Sequence, residues 1–204
     1  MRKNIVVAFC GIDASGKSSN LNAVYNTMNK KAIQVKKLKS IDTEKEYFAK
    51  ILESIKDYEN LNKSFPKEML AIILVSELIK ANNKLESLTK KNKYNVILID
   101  RWIYSHIVYA ETYKINTEIL NCFLNKCVKP DLVFVLDASI NTVINRIEQR
   151  GKLGLNENRY ILTESRAHFL EIANKNNFEI ISTEENDFIA SQTIILNKIL
   201  SFIE

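Results

Sequence analysis

Runs of β-branched and apolar residues alternate along this chain with stretches whose apolar positions recur at helical spacing. That alternation predicts a parallel sheet covered by helices on both faces. The strand candidates are Ile5 to Cys10, Gln34 to Leu38, Val96 to Asp100, Leu132 to Asp137 and Phe178 to Ile181. Between them, Leu21, Val24, Tyr25 and Met28 fall on one helical stripe, and so do Phe48, Ile51, Leu52 and Ile55. Met69, Ile72, Ile73 and Ile79 mark a longer helix. Another helix runs from about Asn116 to Val128 and stops before Lys129-Pro130, because proline cannot continue it. A final helix carries Ile194, Ile195, Ile199 and Leu200. No internal repeat, low-complexity tract or Pro- or Gly-rich linker divides the sequence, so residues 1–204 read as one domain.

Glycine is scarce, and its placement narrows the chemistry. The chain has only four glycines, in two pairs: Gly11 with Gly16, and Gly151 with Gly154. A sequence this poor in glycine keeps it where a side chain does not fit, so each pair marks a loop with unusual backbone demands. The first pair brackets Gly11-Ile12-Asp13-Ala14-Ser15-Gly16-Lys17-Ser18, the G-x-x-x-x-G-K-[ST] spacing, set after an apolar strand and before an amphipathic helix. Successive backbone N–H groups can turn inward there as an anion nest, and the helix N-terminus adds its partial positive charge. A polyphosphate such as that of ATP is the natural occupant, held also at Ala14, Ser15 and Ser19. Lys17 would neutralise its terminal phosphates, and the Ser18 hydroxyl would ligate Mg2+ between them. A carboxylate at Asp13 would repel that ligand, so Asp13 is expected to face a hydroxyl of a second substrate.

Two further clusters suit phosphoryl transfer. Asp100-Arg101-Trp102 stands at the carboxyl end of a buried strand, where open α/β sheets gather ligands. Arg101 can grip an acceptor phosphate with its guanidinium fork, while Asp100 holds a metal-bound water or orients Arg101; the alternative is a strand-end ion pair. Arg146, Arg150, Gly151, Lys152, Gly154 and Arg159 then form a basic, glycine-hinged segment at about 146–162. It reads either as a lid that closes over transferring phosphates and excludes water, or as a solvated turn between helices.

Composition removes competing classes. An apolar share of 46% over 204 residues is that of a globular domain with a full core. The formal charge of +5 comes from Lys and Arg scattered along helical faces, which argues against a nucleic-acid groove and is compatible with a small anionic substrate. The longest apolar runs are far too short for a membrane span, so a soluble, cytoplasmic protein is expected. Cys10, Cys122 and Cys127 make neither a disulfide framework nor a metal pattern, and His106 and His168 stand far apart in sequence, so all five read as packing or surface residues.

The segments Phe9-Cys10-Gly11-Ile12-Asp13-Ala14-Ser15-Gly16-Lys17-Ser18-Ser19, Asp100-Arg101-Trp102 with Ser105, Lys129-Pro130-Asp131-Leu132 and Arg150-Gly151 resemble, in order and spacing, the thymidylate kinase family. The resemblance implies an α/β P-loop NTPase sandwich, a five-stranded parallel sheet in order 2-3-1-4-5, a homodimer, and transfer of the γ-phosphoryl of ATP to a nucleoside monophosphate, with dTMP the expected acceptor and Mg2+ the cofactor. It implies that Asp13 meets the sugar 3′-hydroxyl, Arg101 the acceptor phosphate, and Arg150 the adenine face or ATP phosphates. Ser105 and Tyr109 fall among its substrate-binding positions, and Asp100 with Ser18 at its metal. One subgroup carries an arginine within the phosphate loop. Here that position is Ala14, so the lid would supply the catalytic arginine, with Arg150 and Arg159 the candidates. The chain also departs from the pattern. Lys39-Ser40-Ile41-Asp42-Thr43-Glu44 lacks the family's proline and arginine, and Leu74 and Leu78 replace a base-stacking phenylalanine and a thymine-reading arginine. A nucleoside or small-metabolite kinase of the same fold, and an ATP-binding regulatory domain without turnover, remain the alternatives.

Overall fold

Five strands run parallel in the order β2-β3-β1-β4-β5: β1 (Ile5–Cys10), β2 (Val35–Lys39), β3 (Val96–Asp100), β4 (Leu132–Asp137) and β5 (Glu179–Ser182). This is the predicted order, seen in a computed structural model that describes residues 4–40, 67–115, 118–151, 158–184 and 187–203. Seven helices are described: α1 (Lys17–Lys30), α2 (Lys67–Lys91), α3 (Ile103–Thr112), α4 (Glu118–Leu124), α5 (Ile140–Arg150), α6 (Arg159–Asn176) and α7 (Phe188–Ile203).

The period-2 alternation of side chains sorts each strand between two cores. Ile5, Val7 and Phe9 of β1, with Val96, Leu98, Phe134 and Leu136, pack against Leu21, Val24 and Met28 of α1 and Ile195 and Ile199 of α7. Val6, Ala8 and Cys10, with Ile97, Ile99, Val133 and Val135, face the opposite layer, where Leu78 and Leu85 of α2, Ile103 and Val108 of α3, and Leu162 and Phe169 of α6 meet them. All six residues of β1 are buried, as a central parallel strand requires. At the edge of the sheet β2 carries Lys36, Lys37 and Lys39, the kind of charge that discourages another strand from pairing there.

Three sequence expectations shift. The helix placed at about Asn116 to Val128 ends at Leu124. The chain tightens into turns there, with Lys126 N–H on the Phe123 carbonyl and Cys127 N–H on that of Leu124. The Val128 N–H is then taken by the Asn82 side chain at 2.9 Å, and the Val128 carbonyl by the Trp102 indole at 2.8 Å. On α2 the buried stripe is Leu74, Leu78, Ala81 and Leu85, whereas Ile72 and Ile79 face outward. Phe178 precedes β5 and sets its ring edge against Tyr104, at 4.6 Å between centroids. The stripe Phe48, Ile51, Leu52 and Ile55 lies outside the described residues, as do Lys152 and Gly154 of the basic segment.

Candidate functional site

Gly11 leaves β1 with φ 130°, and a Cβ there would collide with the Leu136 carbonyl of β4. Gly16 caps α1 in the left-handed region at φ 90°. Between them Ala14 is also left-handed at φ 56°, a conformation that costs a residue with a Cβ about 1 kcal/mol or more. Alternation of this kind is what aims backbone N–H groups inward to make an anion nest.

The Lys17 ammonium is almost fully buried under the loop and donates to the Ile12 carbonyl. Burial, reinforced by the Arg101 guanidinium, pushes its pKa down to about 8. Just beyond, Ser18 Oγ donates to Asp100 Oδ2 at 2.8 Å, which brings the loop hydroxyl and the end of β3 together. Two neighbouring oxygens suit a hard divalent cation such as Mg2+, which takes one or two protein ligands and completes its shell with water and phosphate.

Arg101 follows β3 in a left-handed conformation, φ 62°, while its N–H continues the ladder to the Phe9 carbonyl at 2.9 Å. That turn folds the guanidinium back over the phosphate loop. Nη1 donates to the Gly11 carbonyl at 3.1 Å, Nη2 to the Asp13 carboxylate, and the fork lies 5.2 Å from the centre of the Tyr109 ring. Asp13 is therefore paired with an arginine of this chain. Just past the end of α3, Tyr113 has its pKa pushed up to about 12 by burial and by the Asp13 charge, and this residue was not singled out in the sequence.

Ser105 is wholly buried behind the site, and Tyr109 nearly so. His106, read as a packing residue, is also wholly buried, with Nε2 3.5 Å from Ser40 Oγ. Burial and then Arg101 hold its pKa down to about 3, so the ring is neutral at any working pH. Cys10, pushed up to about 11 by burial, is no nucleophile. Leu74 and Leu78, expected among the substrate-binding positions, both join the α2 side of the core, and Leu78 has no exposed surface.

The basic segment splits into parts with different partners. Arg146 is strapped to the loop, donating to the Ala14 carbonyl at 3.2 Å and to Thr183 Oγ1 and O at 3.0 Å each. Thr183 Oγ1 in turn bonds the Ser15 carbonyl at 3.2 Å, so the residue after β5 braces the phosphate loop. Arg150, one turn beyond Arg146, lines a cavity of about 480 Å³ beside Ala14, Gly16 and Ser19. Arg159 opens α6 and donates to Asn141 at 3.0 Å, which ties it to α5. A second brace, missed in the sequence, is the paired contact of Arg166 with Asp137 at 2.7 and 2.8 Å, holding α6 to the end of β4.

Comparison with known proteins decides the family. The thymidylate kinase family model matches residues 9–194. The chain belongs to the thymidylate kinase family. It is 32% identical over 166 residues to a thymidylate kinase of Brachyspira hyodysenteriae, covering 79% of this chain and 77% of that one. It is 28% identical over 176 residues to a protein of Sulfurisphaera tokodaii named a probable thymidylate kinase, covering 86% and 85%. Among solved structures, the thymidylate kinase of Candida albicans superposes with a TM-score of 0.71 at 20% identity, over 99% of this chain and 94% of that one, a likeness of fold. As a thymidylate kinase family member the chain is an ATP-dependent phosphotransferase of the nucleoside monophosphate kinase class, the class that carries dTMP to dTDP. Among the described residues no helix is long and apolar enough to cross a membrane.

Proposed function

We propose that this chain phosphorylates dTMP where the phosphate loop meets the carboxyl end of β3, with ATP on the loop side and the acceptor on the Arg101 side. The observation that carries this reading is the convergence of Lys17, the Ser18–Asp100 contact and the Arg101–Asp13 pair on one loop. The loop amides and the Lys17 ammonium receive the β- and γ-phosphates of the donor. Ser18 and Asp100 would hold Mg2+, which when bound neutralises charge between those phosphates. Arg101, pre-aimed by Gly11 and Asp13, grips the acceptor phosphate through its fork. Asp13, held beside Arg101, is the residue assigned in this reading to a sugar hydroxyl of the acceptor. An acceptor phosphate arrives ionised, so no side chain has to take a proton from it, and the work of the site is positioning and charge neutralisation.

The segment 146–162 serves as the lid in this reading. Gly151, at φ 73° with no heavy atom near the place of a Cβ, is its hinge. Arg146 belongs to the fixed frame because of its three bonds, and Arg150 and Arg159 are the arginines assigned in this reading to the phosphates. We place the enzyme in the cytoplasm, which suits its free cysteines, as a homodimer; light scattering should give twice 23.5 kDa.

A coupled assay for ADP release tests the assignment. Turnover with dTMP is expected, and Lys17→Ala or Arg101→Ala should abolish it with the fold intact by circular dichroism. Activity confined to unphosphorylated nucleosides would replace this reading with a nucleoside kinase, and ATP binding without turnover on any acceptor would replace it with a regulatory domain.

A further inference from the structure

One residue at the end of β4 ties that strand to two other parts of the fold. Asp137 offers its carboxylate to α6, where Arg166 takes it with a two-point fork, Nε at 2.7 Å and Nη2 at 2.8 Å. Its carbonyl serves the chain just after β5: it accepts from the Thr183 N–H at 2.8 Å and lies 3.2 Å from Thr183 Oγ1, the hydroxyl that braces the Ser15 carbonyl. The residue before it, Leu136, presents the carbonyl that leaves no room for a Cβ at Gly11. Keeping α6 on the sheet does not require the pair, because Leu162, Phe169 and Ala173 already bury themselves in the core. Apolar burial is non-directional, whereas a two-point fork fixes where along its axis a helix sits. Arg159 stands seven residues before Arg166, close to two turns, so the two arginines leave the same face of α6 about 10 Å apart along its axis.

We propose that Arg166 is a positioning residue for phosphoryl transfer: by clamping Asp137 it sets the place of α6 along the sheet, and with it the place of Arg159, relative to the phosphate loop that Thr183 braces from the same strand end. The inference rests on the reading that assigns Arg159 to the phosphates, and it adds what keeps that arginine in line. Arg166 touches no reacting group in this account; it acts through Asp137 and through its own helix. Transfer of a phosphoryl group between two anions depends on how well the charges around them are aligned, and a shift of about 1 Å in a group remote from the chemistry can cost roughly a hundredfold in rate. A lysine at this position would keep the charge, but as a single point it could not fix the register of the helix.

Steady-state kinetics with ATP and dTMP, read beside thermal melts and calorimetric binding of ATP with Mg2+, tests this. Arg166→Gln and Asp137→Asn should each lower kcat by roughly 10–100-fold while the KM for dTMP and the affinity for ATP stay within about threefold, the signature of an interaction that counts in the transition state. The double variant should lose no more than either single one, since the two residues act as a unit. Arg166→Lys keeps the charge, and so the fold should Arg166→Gln lose it, but not the fork; its kcat should remain at least about fivefold below wild type. Asp131→Ala is the control: it removes the carboxylate that accepts the Val6 N–H at 2.8 Å, just before the opposite end of β4, so it should lower the melting temperature and leave kcat at the wild-type value. Arg166 variants that melt lower but keep the wild-type kcat would reduce the pair to a structural tie and overturn the proposal. So would additive losses in the double variant, an Arg166→Lys variant as fast as wild type, or an Asp131→Ala variant as slow as Arg166→Gln. Wild-type protein that turns over no dTMP with ATP would instead sink the reading on which the inference rests.

Discussion

Lys17→Met should make the empty enzyme more stable while removing its activity. The Lys17 ammonium sits at 6% exposure with burial and Arg101 both opposing its charge, and its pKa falls from 10.5 to about 8. That difference is worth about 3 kcal/mol of folding stability against the charged form. Below pH 8 folded and unfolded chains both carry the proton, so the cost is present in full. Between pH 8 and 10.5 the unfolded chain holds a proton that the folded one has lost, so stability rises with pH through that window. Methionine removes the charge and keeps the length of the side chain, but gives up the hydrogen bond to the Ile12 carbonyl, at about 1 kcal/mol. The net gain at pH 7 is therefore roughly 2 kcal/mol, or about 4–8 °C in Tm for a chain of this size. Thermal melts of both proteins at pH 7 and at pH 10 without nucleotide measure it. The variant should melt higher at pH 7, and the gap should close at pH 10. A variant that melts lower than wild type at pH 7, or a gap that ignores pH, would refute the reasoning.

Three other outcomes follow from the same contacts. Arg101→Lys keeps the charge but not the fork that spans Gly11 and Asp13, so kcat/KM for dTMP should fall by about 10²–10³ with the affinity for ATP unchanged; an equal loss of ATP affinity would move Arg101 to the donor side. Trp102→Phe removes the indole bond to the Val128 carbonyl and should cost about 1–2 kcal/mol in urea unfolding, a loss that an unchanged midpoint would contradict. The kcat/KM for ATP should fall above pH 8 as Lys17 loses its proton, while His106, held neutral by burial, adds no limb between about pH 5 and 8; a flat profile to pH 10 would count against the Lys17 assignment.

Much of the frame was legible because it is local. Three of the five strands begin and end where the apolar runs do, since β1, β3 and β4 lie inside the sheet and need continuous apolar sequence. The phosphate loop was legible for a related reason: its glycines, lysine and serine act within eight consecutive residues. What failed depended on partners distant in sequence. The end of α4 is set by Asn82, and the inward face of α2 by which of its isoleucines and leucines meets α3. Ile72 and Leu74 are equally apolar in a sequence, and only the packed neighbour separates them.

The site divides along the same line. Lys17, Ser18, Asp100 and Arg101 announce themselves because charged or hydroxyl groups at a strand end have few structural uses. Arg146 looked like a lid residue from its neighbours Arg150 and Gly151, yet Thr183 and the Ala14 carbonyl hold its two terminal nitrogens. An arginine bonded once to the Ala14 carbonyl and twice to Thr183 belongs to the fixed frame and steadies the left-handed turn at Ala14 against its own strain. The two arginines stand four residues apart, on the same side of α5: the inner one braces the nest, and the outer one lines the cavity beside it.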